Sequence, residues 1–430
     1  MDSYYDVIIV GSGMAGLYAA LQVRKLCPDL TCIVIERNQL FGGKAYEHRF
    51  ENTEVVTGAG IGRKNKDKLL LKLMREFQIP IHFFETEHKY SDLIHPPCDV
   101  KATFALLKRT YESENNTNKN RTTFKAYASA VLGEAAYEHF ILCAGYSDYE
   151  QADAHDTLYH YNFDDNYNKW TGFSVPWKAL VDKMVHSLGH MQVVIVNNTE
   201  VTKIHNMADD VFEVVTTRRS SNSTTNKYYC EKLIIATDID SLTSLIRGVV
   251  PRSPCSPRSP VLSSIYKQIQ GQTFLRLYAK FSRESIPHIK EKVQGVTVVE
   301  GPMQKIIPMN PDKGVYMIIY SDNKDADFFK KYFDNTRFNR GALNRIFETS
   351  LGLEGKLRIE SIKEFYWKNG THYYKPLTPE FKNRQAFIRT AQHPFRNVLV
   401  VGELISIHQG WVEGALESVH DSLTKGWLRD

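Results

Sequence analysis

The sequence is poor in cysteine, in net charge and in long apolar runs. Its six cysteines in 430 residues (Cys27, Cys32, Cys98, Cys143, Cys230 and Cys255) are scattered, with no CxxC pair and no metal-ligand spacing. That excludes a small disulfide scaffold or zinc ribbon and predicts free thiols in a reducing, cytoplasmic setting. The 54 Lys and Arg against 49 Asp and Glu leave a net charge of +5 without a dominant basic block, so nucleic acid is not an expected partner. No run approaches the roughly 18 apolar residues of a membrane span. The early stretch DVIIVGSGMAGLYAAL is broken by three glycines and lacks a basic leader and a small-residue cleavage site, so it is not read as a signal peptide. There is no GxSxG nucleophile elbow, and His82, His88 and His95 lack zincin spacing, so no metal is expected. What remains is a chain with 42% hydrophobic and 12% aromatic residues, long enough for two packed cores.

The first local pattern is a complete βαβ unit. A β-branched run, Tyr5-Asp6-Val7-Ile8-Ile9-Val10, ends on glycines and is followed by the helical AGLYAALQVRKL. A second buried strand, Thr31-Cys32-Ile33-Val34-Ile35-Glu36, completes it. Between strand and helix lies Gly11-Ser12-Gly13-Met14-Ala15-Gly16. Gly11 permits the tight turn, Gly13 admits a pyrophosphate to the backbone, and Gly16 lets helix and strand pack closely; the phosphates then sit on the helix N-terminus beside Met14 and Ala15. Glu36 is placed to accept ribose hydroxyls, with Arg37 beside it, and its carboxylate disfavours a 2′-phosphate. The motif alone does not choose between FAD and NAD.

Further along, Leu69, Leu70, Leu73, Met74 and Phe77 have helical spacing up to Pro80, and a less regular, aromatic-rich region follows. Polar tracts at 111–125 and 218–227 read as an exposed loop and a hairpin loop, the latter between the strand-like VFEVVTT and KYYCEKLIIAT. PRSPCSPRSP at 251–260 reads as a domain crossover.

Beyond Glu36, Gly42-Gly43-Lys44-Ala45 and Val56-Thr57-Gly58-Ala59-Gly60-Ile61-Gly62-Arg63 bring the chain to resemble the flavin-containing amine oxidase superfamily: monoamine and polyamine oxidases, L-amino acid oxidases, phytoene desaturases and protoporphyrinogen oxidases. Lys44 stands where that family has an Arg against the flavin diphosphate. Gly58, Ala59, Gly60 and Ile61 would run under the isoalloxazine. Later blocks follow in family order: GFSVPW at 172–177, VVIVNNTEVTKI with Val201 at the adenine contact, KLIIATD at 232–238, and the C-terminal NVLVVGELISIHQGWVEGALESV. In that last block Gly402, Glu403, Gly410, Trp411 and Val412 match the residues that meet the ribityl chain and the flavin pyrimidine.

The resemblance implies an α/β fold: a discontinuous Rossmann-like FAD-binding domain from residues 1–80, 170–254 and 385–430, with an inserted α+β substrate domain from 81–169 and 255–384. It implies FAD held noncovalently, since no Cys occupies the 366–374 segment and His372 is the one nearby residue capable of attachment. It also implies hydride transfer from an amine or amino acid to flavin N5, with oxygen as acceptor and imine and hydrogen peroxide as products. Trp411 and Tyr373 would flank the amine. Arg276, on Phe274-Leu275-Arg276-Leu277-Tyr278-Ala279-Lys280-Phe281, takes the place of a family lysine; unlike lysine it cannot relay a proton, but it can bind a substrate carboxylate or bias the flavin. Two other readings stay open: a desaturase or protoporphyrinogen-oxidase-like enzyme with an apolar substrate, and a flavoprotein with a structural or assembly role. The Asn-rich loops have the composition of an AT-rich genome, such as that of a large DNA virus or a protist, which makes a virion the alternative location. Oligomeric state is left open.

Overall fold

A run that is apolar at every position, rather than at alternate ones, belongs in a strand covered on both faces, and Val7 to Val10 are all buried. In the computed structural model, which describes residues 3–113, 121–207, 211–219, 224–249 and 265–430, this run is the end of β1 (Ser3–Val10). The elements that frame the site are α1 (Met14–Leu26), β2 (Cys32–Ile35), α2 (Lys68–Glu76), β3 (His88–Tyr90), α3 (Val100–Ser113), α4 (Phe124–Leu132), α5 (Glu134–Ala144) and α6 (Ala154–Tyr159). They continue with β4 (Val194–Val196), β5 (Thr199–Asn206), β6 (Phe212–Arg218), β7 (Thr225–Ile235), β8 (Ile269–Phe281), β9 (Val296–Val298), β10 (Lys305–Asn310), β11 (Val315–Asp322), β12 (Ile359–Tyr374), β13 (Val398–Val400) and α7 (Val412–Ser422).

The first sheet has the order β5-β6-β7-β1-β2-β4, with β13 also paired to β7. Its centre is parallel, and β5, β6 and β7 form the antiparallel edge that the two runs around residues 218–227 predict. Val7, Ile9, Val34, Ile234 and Leu399 face one core with α1 and α7. Ile8, Val10, Ile33, Leu233 and Val400 face a second core on the other side. The second sheet runs β12-β8-β11-β10-β9-β3 and is antiparallel except for β3 beside β9. It lies on a core of its own, with Leu275, Leu277, Ile318 and Phe347 at its centre. No helix among the described residues is long and apolar enough to cross a membrane.

Two expectations are corrected. The region after Pro80 is not irregular: α3 to α6 pack on a dense aromatic core in which Phe104 stacks on Phe163 at 4.4 Å and Tyr149 meets Phe163 edge-on at 4.9 Å. α4 and α6 are short, with side-chain caps from Thr123 and Asp153, whereas α3 buries Val100, Phe104, Leu107 and Tyr111 along one face, a spacing present in the sequence. The tract at 111–125 is correspondingly narrower than expected, since α3 reaches Ser113 and α4 starts at Phe124. Residues 114–120, and the proposed crossover at 251–260 with Cys255, lie outside the described residues.

The expected free thiols fail at one pair. Cys98 and Cys143 form a disulfide, because the segment before α3 and the end of α5 meet in the aromatic core; Cys27, Cys32 and Cys230 are free and buried. His139 Nε2 lies 3.4 Å from the Cys143 sulfur. A bond across a sequence separation of 45 restricts the unfolded chain by roughly 2–4 kcal/mol. Cys98→Ser/Cys143→Ser is therefore expected to melt several degrees below the parent, and dithiothreitol to lower the parent's Tm equally without affecting the double variant.

Candidate active site

The glycine-rich turn has the geometry that each glycine predicts. Gly11 has φ +100°, and a Cβ there would lie 2.5 Å from the Ala236 carbonyl, at the end of β7. A Cβ on Gly16 would lie 1.9 Å from the Gly11 carbonyl oxygen, whereas one on Gly13 would meet nothing within 4 Å. The space in front of Gly13 opens onto the first turn of α1, where no side chain caps the helix and where Met14 and Ala15 follow. Glu36, buried at the end of β2, accepts from the Ser12 N–H at 2.9 Å, the Ser12 hydroxyl at 2.8 Å and the Asn38 N–H at 2.8 Å. Gly42 N–H donates to the Ser12 carbonyl, which ties the second glycine pair to the first turn. Arg37 pairs with Asp238, just beyond the end of β7, at 3.3 Å. Val201 lies on the edge strand β5, next to a bulge. These features fit a dinucleotide: an uncapped helix start, a clear approach at Gly13 and a fixed acidic group at the ribose position.

The segment under the expected flavin ring is held from three directions. The Trp177 indole donates to the Gly60 carbonyl at 3.0 Å, Trp367 donates to the Thr57 carbonyl at 2.6 Å, and the Ala59 N–H donates to the Lys44 carbonyl at 2.8 Å. Ile61 continues this run into Arg63, whose guanidinium lies 3.6 Å above the ring of Trp411 and is paired with Asp67 and Asp165. Trp411, the residue before α7, is thereby held by a partner that the sequence reading did not assign. Val412 opens that helix, and Gly410 at φ +81° directs its N–H to Glu403 at 3.0 Å.

Glu403 is the hub. Its carboxylate accepts from Lys44 at 3.1 Å and from His372 Nδ1 at 2.5 Å, besides Gly410. Burial raises its proton affinity, but the neighbouring His372 and Lys44 charges and these hydrogen bonds more than offset that and hold the carboxyl well below the usual range. The Lys44 ammonium, expected at a diphosphate, here joins Glu403 and donates to the Gly370 and Asn369 carbonyls at 2.7 and 3.3 Å. The cause is a bulge in β12: Thr371 faces Gln272 and Trp367 faces Phe274, so residues 368–370 loop out opposite Thr273. A point charge on a flexible stem can turn into that ring of carbonyls where an arginine fork would stay planar. Gly402, at φ +134°, gives its N–H to Ser418 in α7 and so sets the turn that presents Glu403.

Arg276 sits on β8, 8% exposed, where its Nη2 would be 3.3 Å from a Cβ on Gly60. Its partners are the Tyr320 hydroxyl at 3.3 Å and the Tyr320 ring at 4.4 Å, with the Met317 sulfur at 3.9 Å. No carboxylate pairs with it among the described residues. Tyr373 stands on β12 and lines a cavity with His372 and Gly410, the neighbour of Trp411. Asp148, which the sequence reading did not single out, lines the same cavity. It lies in the aromatic-rich region, and nothing local distinguishes it from other surface-type acids.

Residues 9–77 match the family described as an NAD(P)-binding Rossmann-like domain. Across 98% of the chain and 93% of the relative, the sequence is 20% identical to an uncharacterized protein of Acanthamoeba polyphaga mimivirus. A probable FAD-binding monooxygenase, AlmA, of an Acinetobacter species is 28% identical over 35% of this chain and 29% of its own. Among solved structures, the chain matches a putrescine oxidase variant from a redesign of cofactor binding with a TM-score of 0.73 at 14% identity, over 100% of both chains. It matches wild-type putrescine oxidase bound to putrescine with a TM-score of 0.71 at 14% identity, over 98% of both.

Proposed function

We propose that this chain, which has the fold of the flavin-containing amine oxidases over its whole length, is an FAD-dependent oxidoreductase that oxidises an amine or amino acid at the carbon bearing nitrogen, with oxygen as the final acceptor. FAD, when bound, supplies the hydride-accepting chemistry. The chain's own residues bind and orient. Gly11 to Gly16 and Glu36 take the diphosphate and ribose, Glu403 with Lys44 takes the ribityl region, and the N-terminus of α7 favours negative charge at the pyrimidine edge. Trp411, held by Arg63, and Tyr373 provide aromatic walls for the reacting amine. Attachment is noncovalent in this reading: His372 Nδ1 is committed to Glu403, and its Nε2 faces the Ile239 N–H at 3.4 Å.

The single observation that carries the substrate reading is Arg276, a buried guanidinium without a carboxylate partner beside Gly60. A desolvated, permanently charged group of this kind is costly unless something anionic joins it. A substrate carboxylate, or negative charge on the reduced cofactor, supplies that partner. Anaerobic addition of amine and amino acid panels to the purified holoenzyme tests the proposal through bleaching of the flavin absorbance. Arg276→Met is expected to lower kcat/KM for amino acids by about 10- to 100-fold while changing carboxylate-free amines less, and Arg276→Lys to fall between. Protein without flavin absorbance would refute the reading at its base. Bound flavin that no amine bleaches would transfer support to a desaturase-like or assembly role.

A further inference from the structure

One group of potential ligands lies away from the cleft, on the aromatic core of the inserted helices. Cys98, just before α3, meets Cys143 near the end of α5 in the disulfide. His139 stands one helical turn before Cys143 on the same helix, and its Nε2 lies 3.4 Å from the Cys143 sulfur. The two sulfurs and a ring nitrogen of His139 all fall within 4.8 Å of one another. A disulfide needs no third partner, because its sulfurs carry no proton and accept only weakly. Two sulfurs and an imidazole converging on one point are the donor set of a borderline-soft cation. In a tetrahedral zinc centre, Zn–S and Zn–N distances of about 2.3 and 2.0 Å put neighbouring ligand atoms roughly 3.5 Å apart. His139 and Cys143 already have that spacing, and a Cα separation of 5.5 Å lets the two sulfurs part to it once their bond is broken. Cys143 is 2% exposed, whereas Cys98 and His139 are partly exposed, so the core walls one side of the group and solvent reaches the other. Asp99, next to Cys98, is engaged elsewhere, accepting from the Ala102 N–H at 2.9 Å in the first turn of α3.

We infer that the reduced chain binds one Zn²⁺ through Cys98, Cys143 and His139, with water in the fourth position, and that metal and disulfide exclude each other. No sequence spacing marks this group, because Cys98 lies 45 residues before Cys143. The chemistry balances as follows. A phosphine reductant breaks the S–S bond and is oxidised to its oxide, taking the oxygen from one water whose two protons end on the two sulfurs. Zn²⁺ then displaces both thiol protons to solvent, and His139 coordinates as the neutral ring. The thiolate pair cancels the charge of the cation, and the metal takes over the link between the segment before α3 and the end of α5.

Calorimetric titration with Zn²⁺ tests the inference. The holoenzyme is reduced with tris(2-carboxyethyl)phosphine, freed of reductant under nitrogen, and titrated beside the oxidised protein. Reduced wild type should gain one site per chain that the oxidised protein lacks, and comparing the two states cancels any metal held by exposed histidines such as His186 and His190. His139→Ala keeps both thiols and should weaken the added site by at least about 100-fold, since losing a group outside the ligand shell already costs roughly 10- to 100-fold. Cys98→Ser/Cys143→Ser should abolish it. Zn²⁺ should also restore part of the Tm that reduction takes from the wild type, and leave the double variant unmoved. Because His139→Ala removes no covalent link, it decides the matter even if the double variant fails to fold. Reduced wild type that gains no Zn²⁺ site over the oxidised form, or reduced His139→Ala that binds Zn²⁺ as tightly as the wild type, overturns the inference.

Discussion

Replacing Gly13 by Asp is expected to yield a folded, colourless protein. Gly13 has φ −64° and ψ 178°, a conformation any L-residue adopts, and its Cβ direction is empty, so the substitution introduces no clash. The new carboxylate would instead stand at the positive end of α1, in the space that a diphosphate requires, and like-charge repulsion should weaken FAD binding by at least about 100-fold. Gly16→Val makes the opposite case. Its first added carbon would fall 1.9 Å from the Gly11 carbonyl, and backbone must move before α1 can pack on β1. The ratio of visible to ultraviolet absorbance, with the melting temperature of flavin-free samples, separates the two effects. The first variant should keep the parent apoprotein's Tm within a few degrees, and the second should fail to accumulate in soluble form. A Gly13→Asp protein that retains stoichiometric flavin would remove the diphosphate from this turn.

Glu403→Ala is expected to cost both stability and cofactor. It would leave Lys44 and His372 without their carboxylate in a site where Glu403 is 12% exposed and His372 is 2% exposed; breaking one side of such a buried cluster costs roughly 3–5 kcal/mol. Glu403→Gln retains an acceptor but not the charge and should lose less. The pH dependence has a definite sign. Because the folded carboxyl is held below its ordinary value near 4.5, the stabilisation is complete above that pH and drains away as pH falls further. Melting curves collected between pH 7 and 3.5 should show wild type and Glu403→Gln converging toward the acid end. A Glu403→Ala protein that melts within one degree of the parent at pH 7 would dismiss the hub.

What could be read before folding divides by distance along the chain. Gly11 to Glu36 and Gly402 to Val412 are each local: strand, turn and helix carry their own spacing, and Gly11, Gly16, Gly402 and Gly410 each have a steric or backbone reason that survives in three dimensions, while Gly13 leaves open space. Arg276 was placed by the family resemblance, on the strand that is β8, and the structure sets its guanidinium beside Gly60. The pairings that complete the site could not be read. Arg63 on Trp411, Lys44 on Glu403, His372 on Glu403 and Cys98 with Cys143 join residues that no periodicity relates, and the turn of Lys44 depends on a bulge in a strand remote in sequence. The short helices between residues 124 and 159 were obscured for another reason, since their aromatic side chains stack largely on one another, whereas α3 carries a stripe at Val100, Phe104, Leu107 and Tyr111 that could have been read.

The placement of β13 beside β7 has a consequence for how the protein is made. The first sheet begins with β1 and β2, but Glu403 and the cover provided by α7 emerge only after a further 360 or so residues, roughly 20 to 70 s of translation at ordinary bacterial to eukaryotic rates. From the synthesis of β7 until residue 398 follows, about 160 residues later, Leu233, Ile234 and Ile235 lack their partners Val398, Leu399 and Val400. The nascent chain must therefore carry an open, apolar strand edge while the inserted sheet and helices are still being synthesised. A ribosome stalled just before residue 398 should present a chain that protease attacks within β7 and that FAD does not protect.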